Sequence, residues 1–564
     1  MPGGLLNLVA TGNQNIILTG NPSKTFFKTT YQKYTNFGLQ KFRIDVMGQR
    51  ALNMSSPSYF KFKIPRYGDL LMDTYLAVTL PTIWSPVVPP LTCDDVWNPY
   101  EFRWIDNLGS QMIKRVTFSV GGQVIQEFTG DYMQNMVERD FSTTKKDLYY
   151  RMTGNTADLN NPGLCNGRVN MYPTAYYTDN LLGADPSIRG KTIYIPLNIW
   201  FTLASTMAFP LVCLQYNELI IDVEIRPVKE LFVIRNVIGS GQYYHQPNFA
   251  NTYDEFYRFL QPPPSITVDK ASYADQRTNW NADIHLMSTY AFLTDDEVRV
   301  FASQTQHYLI KEVYKYTFQN LFGSQRVKLD SLGLVINWMW YLQRSDSDLR
   351  NQWSNYSNWP YEYQPFNVIS PANGGPTFKF VGGGSSKPFD FSYSPSPSDC
   401  SAVFPSTNPD LTATDILITP IYEPQNTKEI MTSWGLLLDG KYRENVYDVG
   451  VWEYIEKYTR TSGNGPDGLY CYNFCLDTDP YNFQPNGAMN LSKFNSIEFE
   501  LTTTAPPIDN SAQVLTICDG NGSIIGVNKA SWRIFEYSYD LTVLEERYNI
   551  LTFTSGNAAL AYSR

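Results

Sequence analysis

The sequence predicts an all-β protein built from two tandem, similar β domains. Of its 564 residues, 15% are aromatic and 17% are charged, and the chain contains 36 Gly and 35 Pro. Aromatic side chains fit pleated sheets, while Gly and Pro mark turns, so this mixture is typical of many short strands. A chain of this length exceeds what one hydrophobic core holds, which favours two or three domains.

An internal echo supports the tandem arrangement. Residues 216–223 and 494–501 share one pattern: aromatic, Asn, any residue, aliphatic, any residue, apolar, acidic, aliphatic. The offset between the two segments is 278 residues, which is close to half of the chain. Self-similarity at a fixed separation indicates duplication of a structural unit.

The first half contains the clearest strand signals. Apolar and polar residues alternate at 59–64, 74–80 and 219–226, which predicts half-buried strands, and the sheet also includes 193–197. Residues 116–120 and 123–128 flank Gly121 and Gly122, and both positions of this two-residue loop accept positive φ. That arrangement predicts a β-hairpin.

A short helix is predicted near the start of the second half, in contrast to the strands elsewhere. Thr294 precedes residues 295–302 with Glu297 three positions on, the pattern of a capped helix start. Strands are predicted at 416–419 and from 532 to 544. Residues 142–190 and 345–410 lack periodicity and are rich in Asn, Gly, Ser or Pro, so we expect exposed loops there.

These signals divide the chain into four parts. Residues 1–27 form an N-terminal arm, 28–228 the first domain, 229–264 a linker ending in three prolines, and 265–564 the second domain. Residues 1–23 carry no charge and are predicted to be extended, which requires a surface to lie against. The candidate assembly residues of this arm are Leu5, Leu6, Leu8 and Val9.

The C-terminal end also carries an apolar signal. Residues 550–553 form an apolar run, and a small-residue tail follows it. Loose termini are normally polar, so this end is predicted to tuck into a sheet. The candidate packing residues are Leu560, Ala561 and Tyr562.

Composition and motifs disfavour several kinds of chemistry. The formal net charge is −10 and no long basic run occurs, which disfavours direct nucleic-acid binding. Seven scattered cysteines are typical of reduced core residues, with Cys471 and Cys475 sharing one strand face but lacking a zinc motif. The three histidines lie in no metal or nucleophile motif, and the acidic clusters lack a calcium loop. No catalytic site, metal or cofactor is predicted.

Four Asn-x-Ser sequons occur, and Asn355 and Asn521 are kept as candidate glycosylation sites. Asn355 is the better placed of the two, because it lies in the second predicted loop. A protein made in the cytosol does not meet the acceptor machinery, so we expect such modification to be exceptional.

Ordered motifs along the chain resemble one protein family. These segments are residues 18–22, 25–28, 34–37, 68–81, 104–132, 196–201, 215–218, 226–227, 484–492 and 547–564. Together they resemble the major capsid proteins of nucleocytoplasmic large DNA viruses. The resemblance covers both halves and both ends of the chain, and it fails mainly in the two predicted loops.

The resemblance implies a double jelly roll: two tandem eight-stranded jelly-roll domains with long loop insertions and short helices. It also implies a homotrimeric, pseudo-hexameric capsomer that tiles an icosahedral shell. The expected partners are neighbouring capsomers, minor capsid and penton proteins, and an inner membrane beneath the shell, with no direct contact to nucleic acid. The protein would be made in the host cytoplasm or a viral factory and located in the virion, with the arm beneath the capsomer and the two loops on its outer face.

Two other classes of protein remain open at this point. One is a jelly-roll lectin, or a minor capsid or spike protein. A lectin would bind sugar through exposed aromatic faces, for which the candidates are Trp338, Trp340, Trp353 and Trp359. A glycoside hydrolase would need a carboxylate pair that the sequence does not display.

Overall fold

Sixteen antiparallel strands form the framework of the part of the chain that the structure describes. The computed structural model describes residues 2–562 apart from 89–97, 166–167, 169–171, 176–184, 216, 236–243, 252, 265–269, 361–377, 382–387, 390–415, 418–426, 510–513, 519–523 and 530–533. The strands are β1 Gly38–Asp45, β2 Ser58–Lys63, β3 Leu70–Thr79, β4 Ile113–Val120, β5 Gln123–Phe128, β6 Thr192–Pro196, β7 Leu219–Ile225, β8 His285–Phe292, β9 Gln306–Leu321, β10 Ser324–Lys328, β11 Leu334–Arg344, β12 Met431–Leu438, β13 Lys441–Asp448, β14 Leu469–Asn473, β15 Ile497–Thr503 and β16 Tyr539–Thr554.

The first eight strands form one sandwich of two sheets. One sheet has the order β1-β8-β3-β6, and the other has the order β2-β7-β4-β5. The first strand therefore pairs with the last, which brings residues about 250 positions apart into one ladder, as in Gly38 opposite Phe292. This wrapping is the jelly-roll topology.

The last eight strands repeat the same wiring. Their sheets have the orders β9-β16-β11-β14 and β10-β15-β12-β13. Adding eight to each strand number in the sheets of the first sandwich gives the strand orders of the second sandwich. The predicted fold class, two tandem eight-stranded jelly rolls with insertions and short helices, is confirmed.

The sequence echo falls on equivalent strands. Residues 219–223 lie in β7 and residues 497–501 lie in β15, and each strand is second in its four-stranded sheet. Hydrophobic residues alternate inward along both strands because side chains on a strand point to opposite faces. The shared sequence pattern thus reflects equivalent positions of β7 and β15 in the two sandwiches.

The two hairpin turns are also equivalent. Gly121 and Gly122 join β4 to β5 with φ of 58° and 86°, as predicted. Asp439 and Gly440 join β12 to β13 with φ of 48° and 76°. Two successive positive φ values match the right-handed twist of the flanking strands.

The residues that the structure describes also include nine α-helices and several shorter elements. The α-helices are α1 Gly3–Val9, α2 Ile16–Thr19, α3 Leu108–Met112, α4 Gly130–Asp140, α5 Thr143–Thr153, α6 Ala157–Asn160, α7 Trp200–Leu203, α8 Asp295–Ser303 and α9 Glu456–Arg460, the last continuing a π-helical turn at Val451–Ile455. The 3₁₀ turns are Asn13–Asn15, Pro162–Leu164, Ser205–Met207, Leu211–Cys213, Val228–Glu230, Phe256–Phe259, Lys270–Ser272, Ser347–Arg350 and Leu491–Lys493. Further strands are Val87–Val88, Asn98–Pro99, Phe102–Trp104, Phe209–Pro210, Phe232–Arg235, Tyr244–His245, Phe378–Val381, Pro388–Phe389, Ile416–Leu417, Met489–Asn490, Val514–Cys518 and Ile524–Lys529, and the last strand is β17 Asn557–Leu560.

Most predicted elements are present. The strands predicted at 59–64, 74–80, 193–197 and 219–226 are β2, β3, β6 and β7. The predicted helix is α8, and Thr294 is its N-cap residue, although its side chain makes no cap hydrogen bond. The strand predicted at 416–419 is the short strand Ile416–Leu417, and the one predicted to end at Leu544 is β16, which continues to Thr554.

The domain division differs from the expected one. β8 lies beyond residue 264, yet it pairs with β1 and β3 and closes the first sandwich. The sheets therefore divide after Phe292, and residues 229–264 are an insertion between β7 and β8 rather than a free linker. Phe232, Phe256 and Phe259 in this insertion are fully buried, and Phe232–Arg235 pairs with Phe102–Trp104. Single-sequence reasoning took the proline triplet for a boundary because β8 shows no local sign of its distant partner.

The two predicted loops are more structured than expected where the structure describes them. Residues 142–190 include α5 and α6, and Thr153 and Leu159 are buried. Residues 345–360 include the turn Ser347–Arg350 and the buried side chains of Asn351 and Asn358. Most of 361–410 lies outside the described residues, so the exposed-loop prediction there stays a prediction.

Candidate functional site: a buried seam and two exposed ends

Helix α4 joins the two sandwiches. It begins two residues after β5 ends, and ten of its eleven residues are buried. Its polar side chains bond to the outer face of the β9-β16-β11 sheet, as the pairs of Asp131 with Lys315 and of Arg139 with Glu546 show. We call this contact between the two sandwiches the seam.

Arg139 is the centre of the seam. Its Nη2 donates to Glu546 Oε1 at 3.0 Å, and its Nη1 donates to Asn337 Oδ1 at 2.9 Å. Two further donor contacts bind the neighbouring Asp140 carboxylate, with Nη2 to Oδ2 at 2.7 Å. The planar guanidinium therefore donates hydrogen bonds to three side chains at once, an arrangement that the ammonium group of lysine could not reproduce.

The two carboxylates of this cluster have additional donors. Glu546 accepts from Tyr132 OH at 3.0 Å and from Asn337 Nδ2 at 2.9 Å. Asp140 accepts from Thr478 Oγ1 at 2.6 Å. Because a buried charge is costly without hydrogen-bond partners, this saturation makes the cluster compatible with the interior.

A second ion pair lies on the same helix. The Asp131 carboxylate accepts from Lys315 Nζ at 2.8 Å and from Tyr341 OH at 2.5 Å. Burial alone would raise the pKa of Asp131, but the Lys315 ammonium and these hydrogen bonds outweigh it and hold that pKa at about 2. Burial likewise opposes ionisation of Glu546, and the Arg139 charge lowers the pKa of its carboxyl below the usual range.

Apolar contacts extend the seam beyond these ion pairs. The rings of Trp200 and Tyr308 lie 5.5 Å apart, and those of Phe209 and Phe553 lie 5.3 Å apart. A cavity of about 20 Å³ beside Arg139 has room for about one water molecule. The cavity beside Arg139 is too small for a substrate, and the ion pairs and ring contacts of the seam can hold the two sandwiches at a fixed angle.

The N-terminal arm lies away from this core. Leu5, Leu6, Leu8 and Val9 are all exposed, and neither α1 nor α2 has a buried residue. The arm is helical at Gly3–Val9 and Ile16–Thr19, so the expectation of an extended segment is corrected there. Local helix formation satisfies backbone hydrogen bonds in an arm that no sheet accepts.

The C-terminal tail folds back as a hairpin. β17 pairs with residues 551–554 of β16, so the prediction of a tucked end agrees with the strand pairing. Leu560 is partly buried against the core, whereas Ala561 and Tyr562 are exposed. The backbone of Gln215 donates to the Gly556 carbonyl at 3.1 Å, which ties this hairpin to the first sandwich.

The candidate glycosylation site Asn355 and the two neighbouring cysteines are buried. Asn355 is buried, and its Nδ2 donates to the Trp359 carbonyl at 2.8 Å, so the folded chain does not offer this amide as an exposed glycan acceptor. Asn521 lies outside the described residues. Cys471 and Cys475 are buried, and burial raises the pKa of each thiol to about 11.

The described part of the chain contains neither a cluster of metal-binding side chains nor a helix that could span a membrane. Within that part, no group of three His, Cys, Asp or Glu side chains is arranged to hold a metal ion. No helix among the same residues has the length and apolar character needed to cross a bilayer.

The aromatic faces required by a lectin are mostly inaccessible. Trp338 and Trp340 are fully buried in the second core, where Trp340 stacks on Trp434 with ring centroids 4.6 Å apart. Trp353 is occupied by the Arg226 guanidinium, 4.0 Å from its ring. Neither core tryptophan can therefore stack on a sugar.

The seam residues were missed by sequence reasoning. Arg139 and Glu546 are 407 positions apart, and nothing local connects them. One signal was available: Glu545, Glu546 and Arg547 interrupt an otherwise apolar strand pattern. All three are buried, which is unusual for charged residues and marks a satisfied polar network.

Comparisons with known proteins agree with this architecture. Residues 25–275 match the family model for the major capsid protein N-terminus, and residues 297–559 match the model for the large eukaryotic DNA virus major capsid protein. The major capsid protein of Phaeocystis pouchetii virus is 26% identical in an alignment 596 positions long, and that of Paramecium bursaria Chlorella virus 1 is 23% identical in an alignment 567 positions long. Both alignments cover 100% of each chain. The Faustovirus major capsid protein has a similar fold, with a TM-score of 0.59 at 15% identity, covering 98% of this chain and 96% of that chain.

Two jelly rolls with repeated wiring, joined through a saturated polar seam, define a double jelly-roll protein. The two family matches together span nearly the whole chain. The chain belongs to the major capsid protein family of large eukaryotic DNA viruses, with a structural role in the capsid of the virion.

Proposed function

We propose that three copies of this chain form a capsomer of near-hexagonal outline, and that such trimers tile an icosahedral shell. The observation that carries this proposal is the repetition of one sandwich wiring by the other. Three chains of two equivalent sandwiches supply six similar corners. A ring of six similar units can meet six neighbours through similar contacts.

The rigid seam supports the same proposal. A capsomer needs a fixed angle between its two sandwiches, and Arg139 with Glu546 joins them through buried, directional bonds. Inter-domain contacts without such anchoring ordinarily permit relative motion. The work of this chain is association rather than catalysis.

The exposed apolar arm supports a second set of contacts. We infer that Leu5, Leu6, Leu8 and Val9 lie beneath the capsomer against minor capsid proteins, above the inner membrane and apart from DNA. These side chains are exposed in the single chain, and the first 23 residues carry no cation to neutralise phosphate. The insertions at 142–190 and 345–410 would face outward, and neighbouring capsomers and penton proteins would contact the capsomer rim.

Native mass spectrometry and negative-stain imaging of the purified protein test this function. The expected result is a species of about 194 kDa, three times the 64.5 kDa chain, with a hexagonal outline. A stable monomer at micromolar concentration, without a hexagonal outline, would contradict the proposal.

A further inference from the structure

Lys146 is a buried lysine at the seam. It lies on α5, its side chain is 4% exposed, and its Nζ donates to Asn464 Oδ1 at 2.6 Å. Asn464 belongs to the loop between α9 and β14, so this contact joins a helix of the first sandwich to a loop of the second. A lysine is rarely buried because its ammonium is strongly hydrated, so the groups around Nζ must replace the water that it loses.

A carboxylate lies beside the same amine. Glu138 is in the last turn of α4, and its Oε2 lies 3.2 Å from Lys146 Nζ. The other carboxylate oxygen, Oε1, accepts from Gln134 Nε2 at 2.7 Å and from Tyr150 OH. These two donors fix the carboxylate and leave Oε2 for the lysine. Glu138 is thus placed to accept a proton from Nζ.

The loop that carries Asn464 is held on both sides of this residue. The Gly463 N–H donates to the Arg139 carbonyl at 2.8 Å, and Lys457 Nζ donates to the Gly465 carbonyl at 3.3 Å. The carboxamide is therefore positioned at the amine by the fold itself. Two groups held together in this way react far faster than the same groups free in solution.

We propose that Lys146 and Asn464 form an isopeptide bond within the folded chain. Glu138 takes a proton from the Lys146 ammonium, and the free amine attacks Cγ of Asn464. The bond between Cγ and Nδ2 then breaks, and a secondary amide between Nζ and Cγ remains. Of the three protons on Nζ, one stays in the new amide, and Glu138 transfers the other two to the leaving nitrogen, which departs as ammonium. The reaction involves no oxidation and no co-reactant.

This bond ties the two sandwiches together covalently across the seam. It closes a loop between positions 318 residues apart, and a cross-link over a long loop restricts the unfolded chain. Asn464 lies at the surface, which gives the ammonium a route to solvent. The three reacting residues belong to one chain, so the inference does not depend on the proposed trimer.

Mass spectrometry of the purified full-length chain tests the bond. Its intact mass should be lower than that of the sequence by one ammonia, and a tryptic digest should contain a branched peptide that joins Lys146 to Asn464. Lys146→Arg and Asn464→Ala should each restore the missing mass and lack the branched peptide. If Lys146 and Asn464 of the unmodified chain occur only in linear peptides, the proposal is overturned.

Matched controls distinguish this bond from another loss of ammonia. Asn464 precedes Gly465, and an Asn-Gly pair can also lose ammonia by closing a succinimide on its own backbone. That loss would persist in Lys146→Arg, an outcome that contradicts the isopeptide bond. Lys145→Arg at an exposed neighbour, and Asn486→Ala at another exposed Asn-Gly pair, should both retain the branched peptide.

Glu138→Gln tests the proton transfer separately. The fraction of cross-linked chain should fall at least tenfold at equal times after purification, because the amide cannot accept the proton from Nζ. Near-ultraviolet circular dichroism checks that this variant is folded. In a denaturing gel the unmodified chain keeps its closed loop and should migrate ahead of Lys146→Arg. Equal cross-linking in folded Glu138→Gln would contradict the assigned proton acceptor, and equal migration of the other two chains would contradict the closed loop.

Discussion

Arg139 Nη2 and Glu546 Oε1 meet 3.0 Å apart across the two sandwiches, and each side chain is only 1% exposed. Their separation along the chain is 407 residues. A single buried ion pair thus connects α4, the helix after the fifth strand, to β16, the last of the eight strands of the second sandwich.

Replacing Arg139 with Met should destabilise the chain by about 3–5 kcal/mol, because two buried carboxylates would lose their counter-charge. Glu546→Gln should cost less than half as much, since Arg139 keeps Asp140 and a neutral acceptor remains. Urea denaturation followed by fluorescence checks this order. The matched control is Arg326→Met, whose pair with Glu500 lies at the surface, so this substitution should cost far less than Arg139→Met.

Asp131 should make stability depend on acid pH. The pKa of its carboxyl is about 2 in the folded chain against 3.8 unfolded, so its stabilisation is present above pH 3.8 and is lost as pH falls toward 2. The contribution is on the order of 2 kcal/mol. The urea unfolding midpoints of the unmodified chain and of Asp131→Asn should differ at pH 5 and should converge as the pH falls to 2.5. Parallel curves would show that Asp131 does not titrate this way.

Gly463 should resist any side chain. Its N–H donates to the Arg139 carbonyl at 2.8 Å, and an added Cβ would lie 2.5 Å from that same oxygen. Gly463→Ala should therefore cost about 1–3 kcal/mol by displacing the end of α4 from the seam. Gly526→Ala, where a Cβ meets nothing within 4 Å, is the control, and a thermal melt distinguishes the two.

Deleting residues 2–23 should leave trimers intact and impair shell assembly, because α1 and α2 bury nothing against the body of the chain. Native mass spectrometry reports the trimer, and negative-stain counts of particles in producing cells report the shell. Serine at Leu5, Leu6 and Leu8 should reproduce the deletion, whereas Asn7→Ser should not. A truncated chain found only as monomer would refute the assigned role.

Two alanines in the C-terminal hairpin should respond differently to Trp. Ala561 is exposed, so Ala561→Trp should fold normally and lower the trimer yield. Ala558 is 6% exposed within the core, so Ala558→Trp should lower the melting temperature before assembly is reached. Size-exclusion chromatography and a thermal melt separate these effects. Unchanged trimer yield for Ala561→Trp would remove the tail from the interface.

Local patterns predicted the strands well because period-two alternation and the Gly121–Gly122 turn act over a few residues. The echo at 216–223 and 494–501 located equivalent strands for the same reason: an inward-facing position imposes the same residue classes in both sandwiches. Partners far along the chain were invisible. β8 carries no mark of its pairing with β1, so the first domain was ended too early.

The candidate site shows the same contrast. Exposed apolar residues such as Leu8 were recognised, because their unusual character is visible in sequence alone. The seam depends on Arg139, Asn337 and Glu546 meeting from three distant elements, and no local rule brings them together. Asn355 was misjudged because its asparagine-rich setting suggested a surface loop, whereas its amide is buried in hydrogen bonds.

The pairing of β1 with β8 has a consequence for synthesis on the ribosome. β1 is complete at residue 45, but its partner ends only at residue 292. At about 5–20 residues per second, the edge of β1 waits roughly 12–50 s for the strand that covers it. During that interval the nascent chain has an unpaired sheet edge. A chaperone that covers this edge would prevent it from pairing with another chain.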